Sequence, residues 1–179
     1  GWPGPGPGRG ARGMIDHLEG EVAERGATSV CLAVGPVRLD LTVPLSTSRS
    51  LPAKGARVAL WVHLVWKDEG PHLFGFARRQ ERDIFRLLLG VQGVGPTGAI
   101  SLLSHLPPEE LLRQIRARSV EGLTRVPRIG AKTAGRILVD LGPKADRMVL
   151  EGEAAEEPGD AGAFPLGLED AVQALAALG

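Results

Sequence analysis

The chain has 179 residues, enough for one or two domains, with 43% apolar residues and a formal net charge of zero. A single cysteine, Cys31, excludes an internal disulfide, and four scattered histidines without ligand spacing argue against a metal centre. No apolar run approaches membrane-spanning length and no signal peptide is visible, so a soluble cytoplasmic protein without a cofactor is expected.

Residues 1–13 are rich in Gly, Pro and Arg, hold only one large side chain, Trp2, and cannot build a core. They read as a flexible arm before an effective start at Met14. Residues 14–77 read as all-β. Val30, Leu32 and Val34 alternate with Cys31 and Ala33 before Gly35-Pro36, which makes Cys31 a buried strand residue. Val37, Leu39, Leu41 and Val43 alternate with polar residues before Pro44. A long β-rich run from Val58 to Trp66 then reaches the turn Lys67-Asp68-Glu69-Gly70-Pro71, and Leu73 to Phe76 closes the set. Five short strands in so few residues suit an OB-type barrel.

Residues 78–147 read as helical in short pieces. Ile84, Phe85 and Leu88 lead into Val91-Gln92-Gly93-Val94-Gly95-Pro96. Gly93 and Gly95 predict a hairpin with positive φ, and Pro96 suits the first position of a helix. Ala99, Leu102, Leu103 and Leu106 then fall on one helix face. A shift of 35 positions lays this unit on a second one. Val91 falls on Val126, Val94 on Ile129, Gly95 on Gly130, Ala99 on Ala134, Leu102 on Ile137 and Leu103 on Leu138. One supersecondary unit is used twice. Between the copies, Pro107-Pro108 opens a helix with Glu109 and Glu110 in its first turn and Leu111, Leu112 and Ile115 on its apolar face. Val120 and Leu123 form a short helix before the second turn. Gly142-Pro143 predicts the end of the last helix of the pair.

Residues 148–163 are acidic and read as a linker. Residues 164–179 contain one amphipathic helix with Ala171, Val172, Leu175 and Leu178 on one face, which must dock elsewhere. Charge is unevenly spread. Residues 1–76 carry a net +1, residues 77–150 a net +6 and residues 151–179 a net −7. The duplicated unit is therefore the electropositive part, and a glycine turn opening a helix attracts phosphate.

Two phosphate motifs are excluded by context. Gly93-x-Gly95-x-x-Gly98 follows a helix instead of a strand and has no acid about 20 residues on, so it is not a dinucleotide site. Gly130-Ala131-Lys132-Thr133 lacks the adjacent Gly-Lys pair and upstream glycine of an ATP-binding loop.

The order of parts resembles the RuvA family, Holliday-junction-binding subunits of bacterial branch-migration machines. The resemblance covers Met14 to Gly179. Its most specific pieces are Gly93-Val94-Gly95-Pro96 and Ile129-Gly130-Ala131-Lys132-Thr133-Ala134. It implies an α+β multidomain protein: an OB-fold barrel, a helical domain with two helix–hairpin–helix motifs, and the start of a small UBA-like C-terminal domain. It implies DNA-backbone contacts at Gly93, Val94, Gly95 and Thr97 in the first hairpin. In the second it implies contacts at Ile129, Gly130, Lys132 and Thr133, with Arg128 and Arg136 restoring charge. Asp68 and Glu69 match an acidic pin at the junction centre; by composition alone they fit a solvated turn equally well. The implied function is sequence-independent binding of four-way DNA in recombination, repair and the SOS response, without catalysis of its own. The implied partners are the RuvB ATPase, engaged through Ala171, Val172, Leu175 and Leu178, a RuvC resolvase, and further copies in a homotetramer or octamer.

The chain departs from the family pattern where lysine is usual at Thr97 and Ala131 and glycine at Arg128. These departures predict a weaker first hairpin and a second hairpin of altered shape. Only one of the usual three C-terminal helices lies in the sequence. Two other function classes fit helix–hairpin–helix units: a DNA repair enzyme such as a glycosylase, with Lys132 and Asp140 as candidates, and an adaptor that does not bind DNA.

Overall fold

The computed structural model describes residues 15–155, with side chains described through residue 145. The arm, most of the linker and the Leu168–Leu178 segment, with Ala171, Val172, Leu175 and Leu178, lie outside the described residues.

Five strands form a closed barrel: β1 (His17–Arg25), β2 (Ser29–Val34), β3 (Val37–Thr42), β4 (Arg57–Lys67) and β5 (Gly70–Phe76), ordered β1-β2-β3-β5-β4. The ladders are antiparallel except β3 with β5, which is parallel through Leu41↔Leu73 and Thr42↔Phe74. Alternation sends Val22, Val30, Leu32, Leu41, Leu60 and Val62 inward as the barrel core. Gly75 allows the closure, since a Cβ there would stand 2.9 Å from Leu41 Cδ2. This is the five-stranded barrel expected from the turn spacing, with two corrections. The segment is not all-β: α1 (Leu45–Ser50) bridges β3 and β4. Its polar sequence, Leu-Ser-Thr-Ser-Arg-Ser, carries no apolar periodicity, and side-chain bonds to the helical region hold it. Cys31 is only half-buried, on the outer face opposite Asp40. Desolvation, followed by a hydrogen bond and charge repulsion from Asp40, pushes its thiol pKa up.

The helical region comprises α2 (Arg79–Leu89), α3 (Pro96–His105), α4 (Pro108–Arg116), α5 (Val120–Thr124) and α6 (Ala131–Ala155). Ile84, Phe85 and Leu88 of α2, Ala99, Leu102 and Leu103 of α3, and Ala134, Ile137 and Leu138 of α6 share one core. The expected stop at Gly142-Pro143 does not occur, and α6 runs through Pro143 and on to Ala155. The proline removes one N–H from the ladder. Val139, whose carbonyl loses that partner, and Pro143 itself both face solvent, while Leu141 and Ala145 stay buried. Water can therefore satisfy the freed carbonyl while packing carries the helix onward.

Barrel and helices share a seam. Phe74 and Phe76 of β5 stack near Phe85 of α2, with centroids 4.9 and 5.0 Å apart. The buried Glu81 carboxylate accepts from Ser46 Oγ (3.0 Å), Thr47 Oγ1 (3.3 Å) and the Arg78 N–H (3.2 Å). Arg82, 2% exposed, donates to Asp16 (2.6 Å) and Asp83 (2.9 Å), and its guanidinium lies 4.8 Å from the Trp61 ring centroid. A charge taken this far out of water persists only with such partners.

Candidate nucleic-acid interface

The duplication seen in the sequence is repeated bond for bond. In the first turn, Val91 N–H donates to Leu88 O (3.0 Å), Val94 N–H to Val91 O (3.0 Å) and Ala99 N–H to Gly95 O (3.0 Å). In the second, Val126 N–H donates to Leu123 O (3.1 Å), Ile129 N–H to Val126 O (3.2 Å) and Ala134 N–H to Gly130 O (2.9 Å). Every donor and acceptor is displaced by 35 positions. Leu88 and Leu123, also paired by that shift, are both fully buried and anchor the two turns.

The sequence misplaces the strained position. Gly93 has φ +91°, as expected, but Gly95 is extended at φ −89°. Gly95 serves instead as the residue before Pro96, leaving its surroundings open; a Cβ there would meet nothing within 4 Å. In the second copy the positive φ falls on Arg128, at +72°, in the place equivalent to Gly93. The expected change of hairpin shape is therefore absent. The same turn forms, and Arg128 bears the cost of the left-handed conformation, about 1–2 kcal/mol for a residue with a Cβ.

The turns lie side by side. A Cβ at Gly93 would stand 3.4 Å from Arg136 Nη1 and 3.9 Å from Thr133 Oγ1, and one at Gly98 would stand 3.6 Å from Ile129 Cδ1. Each turn opens a helix whose first-turn amides have no intrahelical acceptor: Thr97 and Gly98 in α3, and Ala131, Lys132 and Thr133 in α6. Gly93, Gly95, Thr97, Arg128, Gly130 and Lys132 are exposed, and Thr133 and Arg136 are half-exposed. Val94 and Ile129 are different. Their side chains are 5% exposed and join the core, and their amides are spent within the turn. Of their polar groups, only the carbonyls remain outside that turn, so they shape the surface and offer no donor to it.

Charge is asymmetric across the pair. The shift of 35 sets Gly93 against Arg128, Thr97 against Lys132 and Ser101 against Arg136. All three cations belong to the second copy. Arg136 reaches across, donating from Nη1 to Gln92 O at 3.3 Å, and so brings positive charge to the first hairpin.

Residues 14–75 match the RuvA N terminal domain family, and residues 85–142 match the family of SAM-like helix-hairpin-helix tandems. The chain is 45% identical over 174 residues to the Holliday junction branch migration complex subunit RuvA of Alkalilimnicola ehrlichii, covering 93% of this chain and 84% of the relative. The chain belongs to the RuvA family. The RuvA of Gemmatimonas aurantiaca is 40% identical, covering 93% of this chain and 82% of the relative. That of Stutzerimonas stutzeri is 38% identical, with 93% and 84% covered.

The acidic pair lies in the β-module, between β4 and β5. Asp68 and Glu69 form the exposed two-residue tip of the β4–β5 hairpin, closed by Lys67↔Gly70 with Gly70 at φ +118°. Glu69 Oε2 lies 3.5 Å from His72 Nε2. Beside the tip stands Trp66, 73% exposed, a feature that the β-rich run did not single out. Asp140 and Lys132, each considered as a catalytic residue of a repair enzyme, are both exposed on α6. Among the described residues, no cluster of potential metal ligands is present and no helix is long and apolar enough to cross a membrane.

Proposed function

We propose that this chain binds four-way DNA junctions by their shape and backbone, as a non-catalytic subunit of a branch-migration complex. One observation carries the reading: two identical turns lie side by side and open helices whose free amides share a surface with Arg128, Lys132 and Arg136. Adjacent helix starts with nearby cations suit successive phosphates of one duplex arm. The contacts carry no base information, so recognition depends on the angle at which several arms are presented.

That angle requires several copies, and the proposal includes a homotetramer in which each subunit holds one arm. Each bound arm raises the effective concentration of the next. The exposed Asp68-Glu69 tip acts as the pin, repelling phosphates from the crossover. The relatives are named as subunits of a Holliday junction branch migration complex, which supports assigning the RuvB motor as partner. Residues 164–179, with Ala171, Val172, Leu175 and Leu178, are the proposed RuvB-binding segment. The proposal places the protein in the cytoplasm.

Anisotropy titrations of a labelled four-way junction and a linear duplex across a salt series test it. The junction is expected to bind more tightly than the duplex. Lys132→Ala is expected to weaken junction binding and to lower the slope of log K against log salt by about 0.9, one phosphate contact. Equal affinity for both DNAs, or an unchanged slope, would count against the reading.

A further inference from the structure

The two hairpins are tied to each other by a reciprocal pair of hydrogen bonds. Arg136 of α6 donates to the carbonyl of Gln92 in the first hairpin (3.3 Å), and Ser101 of α3 donates from Oγ to the carbonyl of Pro127 in the second (2.9 Å). The shift of 35 relates Ser101 to Arg136 and Gln92 to Pro127, so these are the same bond made in opposite directions. We infer that Ser101 is a positioning residue for DNA binding, which together with Arg136 sets the spacing of the two hairpins on one arm. This inference rests on the function proposed above.

The choice of acceptors supports it. Gln92 and Pro127 are the residues just before Gly93 and Arg128, the positive-φ residue of each hairpin. Each clasp therefore holds the carbonyl of the peptide that leads into the left-handed residue. At Gly93 the conformation is easy. At Arg128 it is strained, and strain persists only where surroundings over-determine it. Ser101 supplies that constraint from the neighbouring helix. Losing it lets the Pro127–Arg128 peptide turn, which misdirects the helix-start amides that follow it. Ser101 carries no charge and faces no phosphate itself in this scheme, so its removal should alter affinity without altering the number of ions released.

Ser101→Ala and Ser101→Thr in the full chain test the inference, with junction affinity measured across a salt series and amide exchange followed over residues 125–130. For Ser101→Ala we expect affinity to fall and exchange to quicken by about 2–10-fold, the worth of one neutral hydrogen bond. The salt slope should match the unaltered chain, and the threonine variant, which keeps the hydroxyl, should restore both readouts. Unchanged affinity and exchange in the alanine variant would overturn the inference, as would a shallower salt slope or a threonine variant as weak as alanine. If the unaltered chain fails to prefer the junction, the proposed function falls, and the exchange rates alone then support or overturn the clasp.

Discussion

Arg128 shows how a single residue can trade stability for charge. Its φ of +72° places it where its equivalent in the first copy is Gly93. Arg128→Gly should relieve the left-handed strain and raise stability by about 1 kcal/mol, read as a higher melting temperature. The same change removes a cation from the surface and is expected to weaken junction binding and lower the salt slope by about 0.9. The two effects carry opposite signs, so a variant that is more stable and binds less well separates the backbone contribution from the charge. A variant less stable than the parent would refute the strain. Trp66 offers a second test at this scale. Its exposed indole beside Asp68 and Glu69 should change its emission when junction DNA is added if the tip enters the crossover. Emission that ignores the junction while anisotropy reports binding would place the tip elsewhere. Trp66→Phe distinguishes its signal from those of Trp2 and Trp61.

At the scale of elements, the contact of β4 and the segment before β1 with α2 governs pH behaviour. Burial works against the charged form of Asp16, but the nearby Arg82 and Arg86 guanidiniums outweigh it and hold the carboxyl below its ordinary range. That stability is present above the unfolded value of about 3.9 and is lost as pH falls through the lower folded value. His63 is lowered by desolvation and by the charges of Arg86 and Arg82, and its Nδ1 accepts from Arg86 Nε at 3.2 Å. Its neutral form therefore belongs to the folded state, and the associated stability begins to be lost as pH drops below about 6.5. Thermal melts between pH 3 and 8 should show both losses. His63→Gln should flatten the upper one and Asp16→Asn the lower one. An upper limb untouched by the His63 change would disprove that assignment.

At the scale of the whole molecule, the two hairpins carry unequal charge. The second carries the cations Arg128, Lys132 and Arg136, while the first has Gly93, Thr97 and Ser101 in their places. One subunit's hairpins thus offer few charged contacts, and the proposed tetramer would supply junction preference through its symmetry. Light scattering is expected to give a tetramer, or two stacked tetramers when junction is present. A monomer under both conditions would remove arm-by-arm avidity even if duplex binding survived.

Much of this was legible in the chain because its signals are local. Alternation at Val30, Leu32, Leu39 and Leu41 marks strand faces, and i, i+3, i+4 spacing at Ala99, Leu102 and Leu103 marks a buried helix face, since side-chain direction follows backbone period. The 35-residue shift revealed the duplicated turn for the same reason. What lies between elements was not legible. Period alone does not set the two turns shoulder to shoulder, aim Ser101 at Pro127 or send Arg136 to Gln92. Nor could it show that Arg128 takes the glycine's conformation, that Pro143 sits within α6, or that Val94 and Ile129 turn inward. Each depends on which surfaces meet once the cores around Leu88 and Leu123 close, when packing outweighs local preferences of about 1–3 kcal/mol.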